Sequence, residues 1–194
     1  VELYIAMRDE GSYTRAAFLH RAAATIPGVY VPSLYDVTYN EDGTVRAYTP
    51  RYPDVPAVVT KRIVTDLDKG LYPEQVVMPY IETVQDRITV EVGRGCIRGC
   101  RFCQAGMTYR PVREKTPDVI NCQARAIFDT SGYEELSLSS LSISDYTRID
   151  ELTDKLLAWT NPNMVSLSLP SLRADSFTKE LMDKVASIRA SSIT

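Results

Sequence analysis

From Arg87 to Thr194 short apolar runs alternate with amphipathic stretches, and this alternation restricts the possible folds more than any other feature of the chain. Ile88-Thr89-Val90-Glu91-Val92 reads as a buried strand. Thr116-Pro117-Asp118 opens a helix running to about Thr130, with Thr116 as its cap, Pro117 in its first turn and Gly132 as its stop. Glu135 to Ser139 is a second strand, and Ile149 to Trp159 is a helix with apolar residues at 149, 152, 156 and 159. Val165 to Leu169 is a third strand, and Ser176 caps a last helix through Ile188. This order predicts an α/β fold of parallel strands joined by right-handed crossovers, as in barrels and doubly wound sheets. The 108 residues from 87 to 194 supply three such units, whereas a complete eight-unit barrel takes about 250 residues. The expectation is a partial (β/α) barrel, truncated after its third strand and open at an apolar edge.

The preceding residues follow other rules. Residues 1–26 are expected to be helical, with Ser12 starting a second helix after Gly11 and Pro27-Gly28 ending it. Val1-Glu2-Leu3-Tyr4 reads as the interior of a helix, which suggests a linker from an upstream domain. Residues 27–86 are expected to hold a β-hairpin and a proline-rich connection. Val29 to Val37 and Thr44 to Tyr48 would pair across the turn at Tyr39-Asn40-Glu41-Asp42-Gly43, and prolines at 50, 53, 56, 73 and 79 keep the rest extended. Residues 87–194 form the third segment.

Apolar residues make up 44% of the chain and charged ones 24%, the balance of a globular protein able to bury about 70% of its unfolded surface. The apolar runs fall far short of the roughly 20 residues a membrane helix needs. A formal charge of −3 provides no overall drive toward nucleic acid. Four cysteines without a secretory signal favour the reducing cytosol, where clustered thiols more often bind metal than form disulfides.

Three of those cysteines, Cys96, Cys100 and Cys103, lie in the run Gly95-Cys96-Ile97-Arg98-Gly99-Cys100-Arg101-Phe102-Cys103-Gln104-Ala105-Gly106, directly after the first strand. Fully extended, the chain from the first to the third spans about 25 Å, and Gly95 and Gly99 let it curl until three sulfurs reach one metal centre. A helix across this run would be weakened by about 1 kcal/mol at each glycine and would place the third thiol off the face of the first two, so a loop is predicted. Electron-carrying four-iron clusters use four thiolates, whereas this loop offers three. The fourth cysteine, Cys122, falls inside the predicted helix among apolar neighbours and reads as a small core residue. A cluster held by three thiolates keeps one iron open to a ligand with an amine and a carboxylate, such as S-adenosylmethionine, whose sulfonium bond one electron would cleave. Zinc is a rival but wants four ligands. A ferredoxin-like electron-transfer module is another, and it would require Cys122 to leave its helix.

The spacing Cys96-x3-Cys100-x2-Cys103, with aromatic Phe102 before the last cysteine, resembles the radical S-adenosylmethionine superfamily. The longer string Arg94 to Met107, with Leu136-Ser137-Leu138-Ser139-Ser140-Leu141 and Val165 to Arg173, is similar to bacterial members that carry a cobalamin-binding-type domain ahead of the barrel. The resemblance implies a 4Fe-4S cluster on Cys96, Cys100 and Cys103, S-adenosylmethionine as its ligand, and backbone at Phe102 approaching the adenine. Reactions of the methyl-transfer or sulfur-insertion class would follow, with cobalamin only in an upstream domain. Ser139 and Ser140 stand where the family commonly shows two glycines and a glutamate for the methionine amine, and Gln85 stands where the narrower group shows histidine. Arg173 fits either a bidentate partner of the methionine carboxylate or a surface arginine. Strands four to six of the superfamily, with their ribose and substrate contacts, would fall beyond Thr194.

His20, the only histidine, lacks the flanking aspartate and glycine of a cobalamin loop and reads as a helix-surface residue. Arg94, Arg98, Arg101, Arg110, Arg113 and Lys115 gather around the cysteine loop against one acid, Glu114. This patch reads either as solvated cations or as a dock, with Arg94, Arg98 and Arg101 receiving an acidic flavodoxin or ferredoxin, or more weakly RNA.

Overall fold

The computed structural model describes residues 1–81, 83–173 and 183. The chain divides into two compact units, Val1–Ile63 and Val64–Thr194, so the composition-based stretch 27–86 is shared between them.

In the first unit, α1 (Glu2–Asp9) and α2 (Arg15–Thr25) are followed by a 3-10 turn at Pro32–Leu34 and by an antiparallel hairpin, β1 (Tyr35–Tyr39) with β2 (Val45–Pro50). Two expectations need correction. Thr14, not Ser12, caps α2, its side chain accepting from the Ala17 N–H at 3.1 Å, while the Ser12 hydroxyl turns back to the Met7 carbonyl. The first hairpin strand begins at Tyr35 rather than Val29, because Pro32 has no N–H for a ladder and its fixed φ suits the turn. The hairpin turn itself is as predicted, with Gly43 at φ 80° and its N–H on the Asn40 carbonyl. His20 is partly exposed on α2: its ring stands edge-on to Tyr52 at 4.7 Å, and its Nε2 lies 3.3 Å from Asp54 Oδ1.

The second unit is built on a parallel sheet in the order β3 (Ile88–Glu91), β6 (Glu135–Ser139), β7 (Ser166–Ser168). Between them lie α4 (Pro117–Ser131) and α5 (Ile149–Thr160). Thr116 caps α4 by accepting from the Val119 N–H, and Gly132 ends it in the left-handed region at φ 72°. The register pairs Val90 with Leu138 and Leu136 with Leu167. The core joins Ile88, Val90, Leu136 and Leu138 to Ile120 and Ile127 of α4, and to Leu152, Leu156 and Trp159 of α5. Leu138, on the central strand, is fully buried. Leu138→Ala is therefore expected to cost about 2–5 kcal/mol, read as a lowered thermal midpoint of this unit.

The expected strand, helix and strand order holds through β7, as an open three-stranded sheet. No closed barrel is seen among the described residues. The helix expected from Ser176 to Ile188 lies outside the described residues. Cys122 is exposed, contrary to its reading as a core residue: α4 buries Pro117, Ile120, Ala124 and Ile127, and a position two residues after Ile120 is turned about 200° away from it. The stretch from Val64 belongs to this unit. Tyr72 and Val76 pack on the core, and the Tyr72 hydroxyl donates to the Thr89 carbonyl at 2.8 Å.

Candidate functional site

The cysteine loop starts where β3 ends. Val92 is buried and extends the parallel pairing, its N–H donating to the Ser139 carbonyl at 2.9 Å. The chain then forms β4 (Gly93–Arg94), which pairs antiparallel with β5 (Arg113–Glu114) and so closes the base of an 18-residue loop, residues 95–112. A helical turn, α3 (Ala105–Thr108), follows the last cysteine, where only loop was expected.

Two arginines satisfy carbonyls that a loop would otherwise leave without partners. Arg110 donates to the carbonyls of Cys96 at 3.4 Å and Arg98 at 3.2 Å. Arg113 donates to those of Pro111 at 3.0 Å, Tyr109 at 3.3 Å and Val64 at 2.9 Å. Lys115 is only 4% exposed, with its ammonium on Gln123 Oε1 at 2.9 Å and 4.6 Å from the centre of the Tyr72 ring. Burial pushes its pKa down, against the opposing pull of Glu91. The cations that sequence grouped as a patch thus largely brace the loop. Arg94 forks onto Glu91 at 2.8 and 2.9 Å, so the acids opposite them are not limited to Glu114.

Cys96 and Cys100 are half-buried and Cys103 is exposed, all three as free thiols. The Cys96 sulfur accepts the Arg98 N–H at 3.4 Å, and the Cys103 N–H turns back to the Cys100 carbonyl at 3.0 Å. Among the described residues no three His, Cys, Asp or Glu side chains are gathered as a preformed metal site. The donor set nevertheless fits an iron-sulfur cluster: three soft sulfur ligands on one loop, tied at its base, with a backbone donor already aimed at one sulfur. Phe102 is 92% exposed.

A cleft beneath the loop is lined by Cys96, Glu114, Ser140, Ser142, Asp145 and Tyr146, which brings the ends of β3 and β6 together. Ser139 ends β6, and the Ser140 hydroxyl accepts the Ser142 N–H at 3.2 Å. Tyr146 donates its hydroxyl to the Lys115 carbonyl at 2.9 Å, and burial raises its pKa to about 12, which keeps that proton in place.

Asp145 is the residue of this cleft that sequence reasoning missed. Its side chain is 10% exposed, and both carboxylate oxygens receive the Arg98 guanidinium, Nε lying 2.9 Å from Oδ2 and 3.1 Å from Oδ1. The Ser142 hydroxyl donates to Oδ2 at 2.9 Å. Arg98, with help from Ser142 and the Arg173 charge, holds this carboxyl below its ordinary pKa although burial works the other way. No local pattern marked it: Ser142 opens a 3-10 turn at Ile143–Asp145 without a side-chain cap, and the partner Arg98 lies 47 residues away. Arg173 reaches the same end of the sheet, and its own N–H donates to Ser144 Oγ at 3.3 Å. Cys96, Ser140, Asp145 and Arg173 therefore converge on one end of the sheet, whereas Phe102 and Cys103 project outward.

Among the described residues no helix is long and apolar enough to cross a membrane. An uncharacterized protein of Methanocaldococcus jannaschii is 30% identical over 138 residues, which cover 66% of this chain and 30% of that relative. The chain thus aligns with less than a third of its relative's length. The sequence model of the Radical SAM superfamily matches residues 90–193, from the middle of β3 across the cysteine loop and β7. With more than half of its length matched in this way, the chain belongs to the radical SAM superfamily.

Proposed function

We propose that the chain is the core of a radical SAM enzyme in which Cys96, Cys100 and Cys103 hold a 4Fe-4S cluster and one iron remains open to S-adenosylmethionine. The observation that carries this reading is the trio of free thiols on one loop at the strand ends of a parallel sheet, inside the segment that matches the family. When bound, the cluster and its ligand supply a carbon radical by one-electron cleavage of the sulfonium bond.

The chain's own residues bind and orient. Arg173 offers a guanidinium to the methionine carboxylate. Ser139 and Ser140 offer oxygen acceptors to the methionine amine at the end of β6. Tyr146, which lines the cleft, is held in place by its hydroxyl donating to the Lys115 carbonyl. An acidic flavodoxin or ferredoxin as reductant fits exposed Arg101, because Arg94 and Arg98 direct their charge to Glu91 and Asp145. The reaction that follows is of the methyl-transfer or sulfur-insertion class.

Oxygen-free reconstitution tests the reading. It expects about four iron and four sulfide per chain and a cluster spectrum perturbed by S-adenosylmethionine. Zinc bound without sulfide would replace it with the structural-zinc reading.

A further inference from the structure

The Arg98 to Asp145 pair joins residues 47 positions apart and has no part in ligating metal. We infer that Asp145 is a positioning residue for the cysteine loop, holding Arg98 so that the Arg98 backbone N–H stays on the sulfur of Cys96. This inference rests on the reading of Cys96, Cys100 and Cys103 as cluster ligands.

Arg98 is fixed at three points. Its guanidinium forks onto Asp145, its N–H meets Cys96 Sγ at 3.4 Å, and its carbonyl accepts from Arg110 Nη2 at 3.2 Å. The peptide between Ile97 and Arg98 is thereby held from the side chain and from the adjoining carbonyl. The anchor is the more buried partner: Asp145 is 10% exposed against 41% for Arg98, and the Ser142 hydroxyl holds it from the connection after β6. A bidentate guanidinium on a nearly buried carboxylate is more directional than a surface ion pair, so it transmits the geometry of the sheet end into the loop. Hydrogen bonds to cluster sulfurs tune reduction potential, and outer partners of metal ligands commonly influence affinity by about 10–100-fold. A slack Arg98 would weaken both.

The test uses the full chain, reconstituted without oxygen, in the variants Arg98→Ala, Asp145→Asn and the double variant. The metal-free forms are first compared by thermal unfolding. Release of iron to a ferrous chelator is expected to be about 10–100-fold faster in each single variant than in the parent. The double variant should release iron no faster than the worse single one, because both substitutions remove the same contact. The midpoint potential of the cluster in Asp145→Asn, followed by electron paramagnetic resonance, should move to a more negative value although a nearby negative charge is lost, since the N–H to sulfur bond is no longer held firm. A merely structural pair would move that potential only in the positive direction, by the loss of the carboxylate charge. If Asp145→Asn fails to fold, Arg98→Ala alone carries the test, because Arg98 lies on the loop outside the core. Parental release rates in the folded single variants, or a potential in Asp145→Asn that does not become more negative, would overturn the inference. A parent chain that loads no iron would overturn the ligand reading beneath it.

Discussion

Replacing Cys96, Cys100 or Cys103 by alanine is expected to lower iron bound after reconstitution at least about tenfold, with Cys122→Ala unchanged from the parent. With three thiolates on the loop, removal of one leaves two, and a cubic cluster held at two corners has two irons exposed to chelator and solvent. Cys122 has no means of replacing the lost ligand. It is exposed on α4, two positions beyond buried Ile120, so a shift to the cysteine loop would require unwinding a helix whose cap and four buried residues hold it in place. The measurement is iron and sulfide per chain together with the visible absorption of the brown protein. A Cys122→Ala protein that lost its iron would support a four-thiolate electron carrier. Alanine at a loop cysteine that left iron content intact would remove the site itself.

The elements that could be read from the sequence are those whose cause is local. Glu135 to Ser139 was legible as a strand because Leu136 and Leu138 alternate with polar residues after the stop at Gly132, and α4 because Thr116, Pro117 and Gly132 mark both its ends. The thiol spacing was legible for the same reason, since three residues of one loop need no partner to be recognised. What escaped depends on distant partners. The β4 to β5 ladder is two residues a side, too short to show any period, and it exists because the chain returns to Glu114 after crossing the whole loop. Asp145 was passed over because it lies 47 residues from Arg98, and only the fold places the carboxylate under the guanidinium. Cys122 is a different case. The rotation of 100° per residue along α4 would have placed it away from Ile120 had that wheel been drawn from the helix's own buried face.

Gly95→Ala is expected to leave the sheet core folded and yet abolish most cluster loading, whereas Gly99→Ala, four residues on in the same loop, should behave as the parent. The two glycines look alike in the sequence, where both suit a curling loop, but their surroundings differ. Gly95 has φ 90°, a region L side chains rarely adopt, and a Cβ there would lie 2.8 Å from the Pro111 carbonyl oxygen, 2.9 Å from that of Tyr109 and 3.0 Å from Val112 Cα. All three atoms are backbone and cannot move aside as a side-chain tip would. The conformation alone costs about 1–3 kcal/mol for alanine, and relieving the contacts would require the loop to swing away from its own return strand, opening the ladder at Arg94 and Arg113 beside it. Cys96 follows directly, so its sulfur would be displaced from its place against the Arg98 N–H. A Cβ on Gly99 meets nothing within 4 Å and its φ lies outside the left-handed region, so alanine there should change stability by no more than about 0.5 kcal/mol. Far-ultraviolet circular dichroism and iron content, measured on both variants side by side, decide the matter. Equal iron loading in the two would mean that the crowded return of the loop at Gly95 does not hold the first cysteine in place.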